Sequence, residues 1–267
     1  MKPFLLVLAA VVLPFHLCGD VLSVPSLSAS GRLDKAKKDR QGAEAKDNYR
    51  RGVQFAEGDG MAKDDAAAAG YYRKAAEAGY APAQYELASL YESGTGVECD
   101  LKQAAFWYRR AADQGDPEAQ NNLGALYATG RGVGRDLREA VRWYRLAAEQ
   151  KDSEATNNLG AMYLDGRGVK RDLVRAFQLF QRAAEQGYPA AENNLALMYA
   201  NGQGVARDFV SAYVWLDVAA KTLSGSAVLR DQVGKEMTAE DIARARDLAA
   251  RKREEFARKE LARKESN

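Results

Sequence analysis

From residue 45 onward, apolar residues recur at helical spacing in short runs, each closed by a glycine and followed by a polar turn. In the stretch that begins at Asp116, the residues Ala119, Leu123 and Tyr127 fall at intervals of four, which lines one face of an α-helix. Asp116 is placed to cap that helix, and Pro117 takes its first position, where the missing N–H removes no bond. Gly130 closes the helix in the left-handed conformation that a side chain resists, and Gly132 lets the chain double back, with Val133 plugging the turn. A second helix opens at Asp136, and Glu139 completes a capping box. Ala140, Trp143, Tyr144 and Ala147 form its apolar face, where the small alanines permit close helix approach. The pattern predicts a helix-turn-helix hairpin.

The hairpin recurs with a period of 36 residues: segments starting at Leu87, Leu123, Leu159 and Leu195 superimpose without insertion, and a degenerate copy with Arg51 in place of the leucine precedes them. This places five repeats at 45–80, 81–116, 117–152, 153–188 and 189–223. One hairpin cannot bury its stripe alone, so neighbours stack into an all-α superhelical solenoid with a continuous core. The pattern breaks at Leu223 to Gly225, and the region 226–267 reads as a C-terminal capping helix that opens on a Thr238–Asp241 capping box. Ile242, Ala245, Leu248 and Ala249 are placed to cover the last repeat, with pairs Glu254–Arg258, Glu255–Lys259 and Glu260–Lys264 on the solvent side.

The two ends behave differently. Lys2, an apolar run from Phe4 to Leu13 and a breaking Pro14 read as a secretory signal peptide over 1–19, because the run is well short of the roughly 20 residues that span a bilayer. Export to the periplasm or beyond is expected, with no transmembrane span after cleavage, which fits Gly19 or Ser23. Cys18 raises a lipid-anchored alternative, although Phe15 and Leu17 are poor neighbours for a lipidated cysteine. Residues 20–44 are read as a flexible lead, of which 31–44, lacking an apolar stripe, are a flexible lead or a frayed helix.

The recurring signature, L-G-x-x-Y-x-x-G-x-G-V-x-x-D-x-x-x-A-x-x-W-Y-x-x-A-A-x-x-G, closely resembles the Sel1-like repeat family, relatives of the tetratricopeptide repeats. The resemblance covers about residues 45 to 223 and implies a right-handed α/α superhelix used as a scaffold for protein complexes. Departures are modest: Phe180 and Leu216 take the tyrosine position, Leu179 the tryptophan position, and Lys151 the glycine at a helix end. Cysteine-rich secreted members of the family have been linked to penicillin binding. Only Cys99 lies in these repeats, so that activity is not carried over.

Composition narrows the chemistry. With 46% hydrophobic and 28% charged residues and a net charge of +2, the chain is an ordinary globular protein without the clustered basic charge of a nucleic-acid binder. The single histidine, His16, falls in the leader, so the mature chain has no Ser-His-Asp triad, no Cys-His pair and no histidine metal ligand. Cys99 sits in a turn between Glu98 and Asp100 and reads as incidental. Asp64, Asp100, Asp136, Asp172 and Asp208 hold one cap position in every copy, which argues for structure rather than acid-base catalysis. The GTGV, GRGV and GQGV turns have no preceding strand, so a phosphate-loop reading fails. No cofactor or metal is expected, and the chain is not expected to be an enzyme.

A protein or peptide partner is expected instead, held in a groove walled by the first helices. The Leu, Gly and Tyr anchors put Tyr49, Tyr85, Asn121, Asn157 and Asn193 in one row. The asparagines offer donors and acceptors to an extended backbone, and the tyrosines offer flat contact, unless the asparagines serve neighbouring helices instead. Ser89, Ala125, Ala161 and Leu197, with Glu92, Ala128, Leu164 and Ala200, make the wall mostly small or apolar, which suits a neutral ligand. The competing readings are a cell-wall or β-lactam-related hydrolase and the lipid-anchored adaptor.

Overall fold

The alternation of apolar stripe and glycine turn produces a ladder of short helices. The structure is a computed structural model that describes residues 29–265, twelve helices with no strand among them. The leader expected over 1–19, with Cys18, lies outside the described residues. The chain divides into two units at Arg40 and Gln41. The described part of the first is helical, the opening of α1 (Ala29–Glu57). Residues 29–44 are helical, the second of the two readings of this segment, since Ala, Lys, Arg, Gln and Glu dominate them and favour helix.

The second unit carries the repeats. The end of α1 pairs with α2 (Asp65–Glu77), followed by α3 (Ala81–Ser93) with α4 (Leu101–Asp113), α5 (Pro117–Thr129) with α6 (Leu137–Glu149), α7 (Ser153–Asp165) with α8 (Leu173–Glu185), and α9 (Pro189–Asn201) with α10 (Phe209–Ala219). From α3 to α9 each helix packs on the one before it and the one after it, and Tyr49 of α1 lies against Tyr72 of α2.

The caps form as the residues predict. Asp64, Asp100, Asp136, Asp172 and Asp208 each accept a hydrogen bond from a backbone N–H in the first turn of a second helix. One half of the expected box does not close: Glu139 accepts from Arg142 Nε at 3.2 Å instead of reaching back to the cap. Asp136 N–H donates to the Tyr127 carbonyl at 3.0 Å, and the same tie recurs in the neighbouring hairpins, locking the two helices of each repeat.

Glycines explain how closely the elements approach. Gly130 ends α5 at φ 78°, and Gly132 follows at φ 72°. A Cβ on Gly132 would lie 2.1 Å from the Leu101 carbonyl oxygen, so this turn rests directly on the backbone of the preceding repeat. Gly96, Gly168 and Gly204 make the equivalent contact. At Lys151 the chain also turns at positive φ, 70°, the only described residue other than glycine to do so. Leu87, Leu123 and Leu195 are fully buried, together with the paired alanines of the second helices. Truncating such a leucine to alanine costs about 2–5 kcal/mol.

Polar ladders also cross the repeats. Gln84 Nε2 donates to the Ala76 carbonyl at 3.0 Å, and Gln84 Oε1 accepts from Gln114 at 2.7 Å. Gln120 repeats the motif with the Ala112 carbonyl at 3.1 Å and Gln150 at 3.0 Å. In the following repeat Thr156 takes the position and accepts from Arg182, which also donates to the Ala148 carbonyl.

Beyond the repeats, the break at Leu223 is followed by two helices, α11 (Ser224–Gly234) and α12 (Ala239–Glu265). The Thr238–Asp241 box forms, and Ala245 and Ala249 are fully buried where α12 packs on α10. Leu248 stays exposed. The Glu255–Lys259 and Glu260–Lys264 pairs form, while Arg258 donates to the Glu254 carbonyl rather than to its carboxylate.

Candidate functional site

The first helices α3, α5, α7 and α9 present equivalent positions at each step, so a residue type repeated there becomes a row. Leu123 and its counterparts turn inward, and the residue two positions earlier falls at the junction with the next repeat. Asn121 is only 4% exposed and Asn157 8%, and Asn193 is half-buried. Their carbonyl oxygens are already occupied: Asn158 Nδ2 donates to Asn121 Oδ1 at 3.0 Å, Asn194 Nδ2 to Asn157 Oδ1 at 2.9 Å, and Ser226 Oγ to Asn193 Oδ1 at 2.9 Å. Of the two readings open for the asparagines, the second describes these contacts: their acceptors join one repeat to the next. For Asn121 and Asn157 the missed partner is the second member of the next repeat's Asn-Asn doublet, and the recurrence of that doublet was the available signal.

The tyrosines of the row are packed on one side. Tyr49 lies against Tyr72 and Tyr80, with ring centroids 5.7 and 5.3 Å away, and Tyr85 lies 5.8 Å from Tyr108. Burial, then the charge of Glu118, pushes the Tyr85 hydroxyl up to about 12. It remains a neutral donor at physiological pH.

Tyr85 and Asn121 do share an open pocket of about 340 Å³ with Glu118, Asn122, Asp152, Ser153, Glu154 and Tyr188. Its residues come from α3, α5, the start of α7 and the residue before α9, so it crosses several successive repeats. Glu118 and Glu154 are exposed in the first turns of α5 and α7, where the positive helix ends favour acids. No cation lines the pocket. Burial first, then Glu118 and Asp116, raises the neighbouring Glu86 carboxyl above its ordinary range. The surface here is therefore aromatic and acidic. The acids escaped notice because they stand outside the Leu-Gly-Tyr register that defined the row.

A model described as Sel1 repeat matches residues 46–80, 81–116, 117–152, 153–188 and 189–221. No curated protein matches the chain. Among solved structures, the chain is 40% identical to a protective antigen present in uropathogenic Escherichia coli strains that displays an SLR fold, with a TM-score of 0.65 over 71% of this chain and 41% of that one. The chain thus spans less than half the length of that relative. A Sel1 repeat protein from Oxalobacter formigenes is 35% identical, with a TM-score of 0.66 over 78% of this chain and 87% of that one.

Proposed function

As a member of the Sel1 repeat family, a family of non-catalytic scaffolds for protein interaction, the chain brings a binding role with it, and we propose that it is exported and holds a basic, extended segment of a protein partner along the face of its first helices. Export is supported by Lys2, the Phe4 to Leu13 run and Pro14. The basic character of the partner is carried by one observation, the pocket in which Tyr85 and Tyr188 stand among Glu118, Asp152 and Glu154 without a lining cation. Tyrosine faces attract lysine and arginine head groups, and clustered carboxylates add charge complementarity that steers association. Asp152 is committed to capping α7, which leaves Glu154 and Glu118, the latter hydrogen-bonded by the Tyr85 hydroxyl, as the acids available to a cation.

The test pairs a lysine-rich peptide with an uncharged peptide of equal length, titrated against the chain and against the double variant Glu118→Gln, Glu154→Gln. The basic peptide is expected to bind more tightly, to weaken as salt rises, and to lose about five- to tenfold in affinity to the variant, the size of two partly exposed charge contacts. Equal binding of both peptides, or no change in the variant, removes this reading. N-terminal mass spectrometry of the protein from its native cell decides export, and an intact Met1 on cytoplasmic protein overturns it.

A further inference from the structure

The glutamine ladder changes character at its last step. Gln84, Gln120 and Thr156 hold equivalent positions in three repeats and are each hydrogen-bonded across the junction. In the next repeat the position is Glu192, which is 3% exposed and whose side chain makes no hydrogen bond or ion pair among the described residues. A carboxylate cannot donate as a glutamine amide does, and leaving it buried and unmatched is costly.

Glu192 lines a cavity of about 320 Å³ between the last two repeats and α12, close to the lower size of ordinary small-ligand sites. Pro189, Val218 and Phe256 form an apolar wall, and Phe256 is held against Trp215 with ring centroids 6.4 Å apart. The charges at the rim are Glu185, Lys221, Arg253, Lys259 and Glu260. Most have partners of their own: Arg253 pairs with Asp217, Lys259 with Glu255 at 2.5 Å, Glu260 with Lys264 at 2.9 Å, and Glu185 accepts from Gln181 at 3.0 Å. Lys252, the cation that acts on Glu192, lies over the Trp215 ring and 3.8 Å from Glu255. Glu192 therefore has no ion-pair partner in direct contact, only the field of Lys252, in a cavity whose lining mixes apolar and charged side chains.

We propose that this cavity binds an organic cation carried on an aliphatic stem, an alkylammonium or alkylguanidinium group, with Glu192 as its anchoring carboxylate and Phe256, Val218 and Pro189 against the stem. A donor is needed to satisfy the carboxylate oxygens, and a charged donor makes the stronger, shorter bond while adding a counter-charge in direct contact. The same chemistry arrives as a free amine or as a lysine or arginine side chain of a partner protein. Burial pushes Glu192 up to about 7, with Lys252 opposing, so an arriving cation displaces a proton from a fraction of the molecules at neutral pH. The site is separate from the tyrosine pocket, and its fate does not depend on that reading.

The experiment is calorimetric titration of the full chain with three probes: N-acetyl-lysine N-methylamide, n-pentylamine, and the neutral isostere N-acetyl-norleucine N-methylamide. At pH 8 the lysine probe is expected to bind at least about tenfold more tightly than its neutral isostere, the size of one charge-assisted contact. Affinity should fall at pH 6, and the heat should vary with the buffer's ionisation heat as a proton is released. Glu192→Gln, which places here the residue that two other repeats carry, should melt no lower than the wild type and lose the preference for the cation. Binding of both amines identifies the shared group as sufficient, and binding of the lysine probe alone assigns the site to a protein-borne side chain. Equal affinity for the neutral probe, undiminished cation binding by Glu192→Gln, or no binding of either amine at tens of millimolar overturns the proposal. Should the variant fail to fold, the buffer-dependent proton release of the wild type decides the matter alone, and its absence is equally fatal.

Discussion

The sharpest test of how the repeats are joined compares Gly132→Ala with Gly115→Ala. Both residues have positive φ, 72° and 95°, so both alanines incur the left-handed penalty of about 1–2 kcal/mol. They differ in what the new methyl meets. At Gly115 nothing lies within 4 Å, whereas at Gly132 the Cβ falls 2.1 Å from the Leu101 carbonyl oxygen and 2.5 Å from its carbon. Both of those atoms are main chain at the start of α4, with no flexible side chain to swing aside. Relief requires the turn and the preceding repeat to part by roughly 1 Å, an overpacking cost of about 1–3 kcal/mol. Gly132→Ala is thus expected to lose about 2–5 kcal/mol in all, against about 1–2 for Gly115→Ala. In thermal melts the extra loss corresponds to about 2–12 °C, at about 2–4 °C per kcal/mol for a chain of this size. Because stability in a repeat array depends on nearest-neighbour interfaces, the Gly132 variant should also unfold over a broader range of denaturant. Gly134→Ala, with open space and no positive φ, serves as a neutral control. Equal losses from Gly115→Ala and Gly132→Ala in urea titrations would refute the claim that backbone contact sets the junction.

Lys151→Gly should stabilise the chain by about 1 kcal/mol, because Lys151 stands at φ 70° where Gly79, Gly115 and Gly187 occupy the equivalent turns; a lower melting temperature would count against it. Replacing Asn121, Asn157 and Asn193 together by alanine should cost about 2–4 kcal/mol, at about 0.5–1.5 for each inter-repeat bond lost, and a melt unchanged from wild type would return the row to solvent. Glu192 makes stability pH-dependent. Its folded pKa of about 7 lies above the ordinary glutamate value, so its contribution is fully present below about pH 4.5 and is lost as pH rises through 7. The loss should be on the order of 1–3 kcal/mol between pH 5 and pH 8, and Glu192→Gln should flatten that segment of the melting curve's pH profile.

Local periodicity made the repeats readable. Asp116, Gly130 and Asp136 act on backbone groups a few residues away, so their roles follow from spacing alone. What spacing does not carry is the identity of a distant partner. Gly132 looked like a hinge for its own turn, yet its hydrogen atom is needed because Leu101 of the previous repeat lies against it. Asn121 and Asn157 looked outward because they sit off the leucine stripe, but a solenoid helix buries two flanks, one against its own hairpin and one against the next. Leu223 to Gly225 read only as the end of the repeat pattern; the helix α11 that starts there is anchored by Ser226, bonded to Asn193. The site suffered most, since Glu118 and Glu154 are surface acids whose only distinction is the tyrosines that folding brings beside them.

The seating of each turn on the carbonyl of the repeat before it has a mechanical consequence. Two main-chain atoms in hard contact meet a steep repulsive wall, so pushing neighbouring repeats together along that line is resisted at once, whereas opening them is opposed only by the softer attraction between side chains. The array therefore behaves as a one-sided spring, stiff in compression and compliant in extension, and any partner that loads it along its length will find it yielding in a single direction.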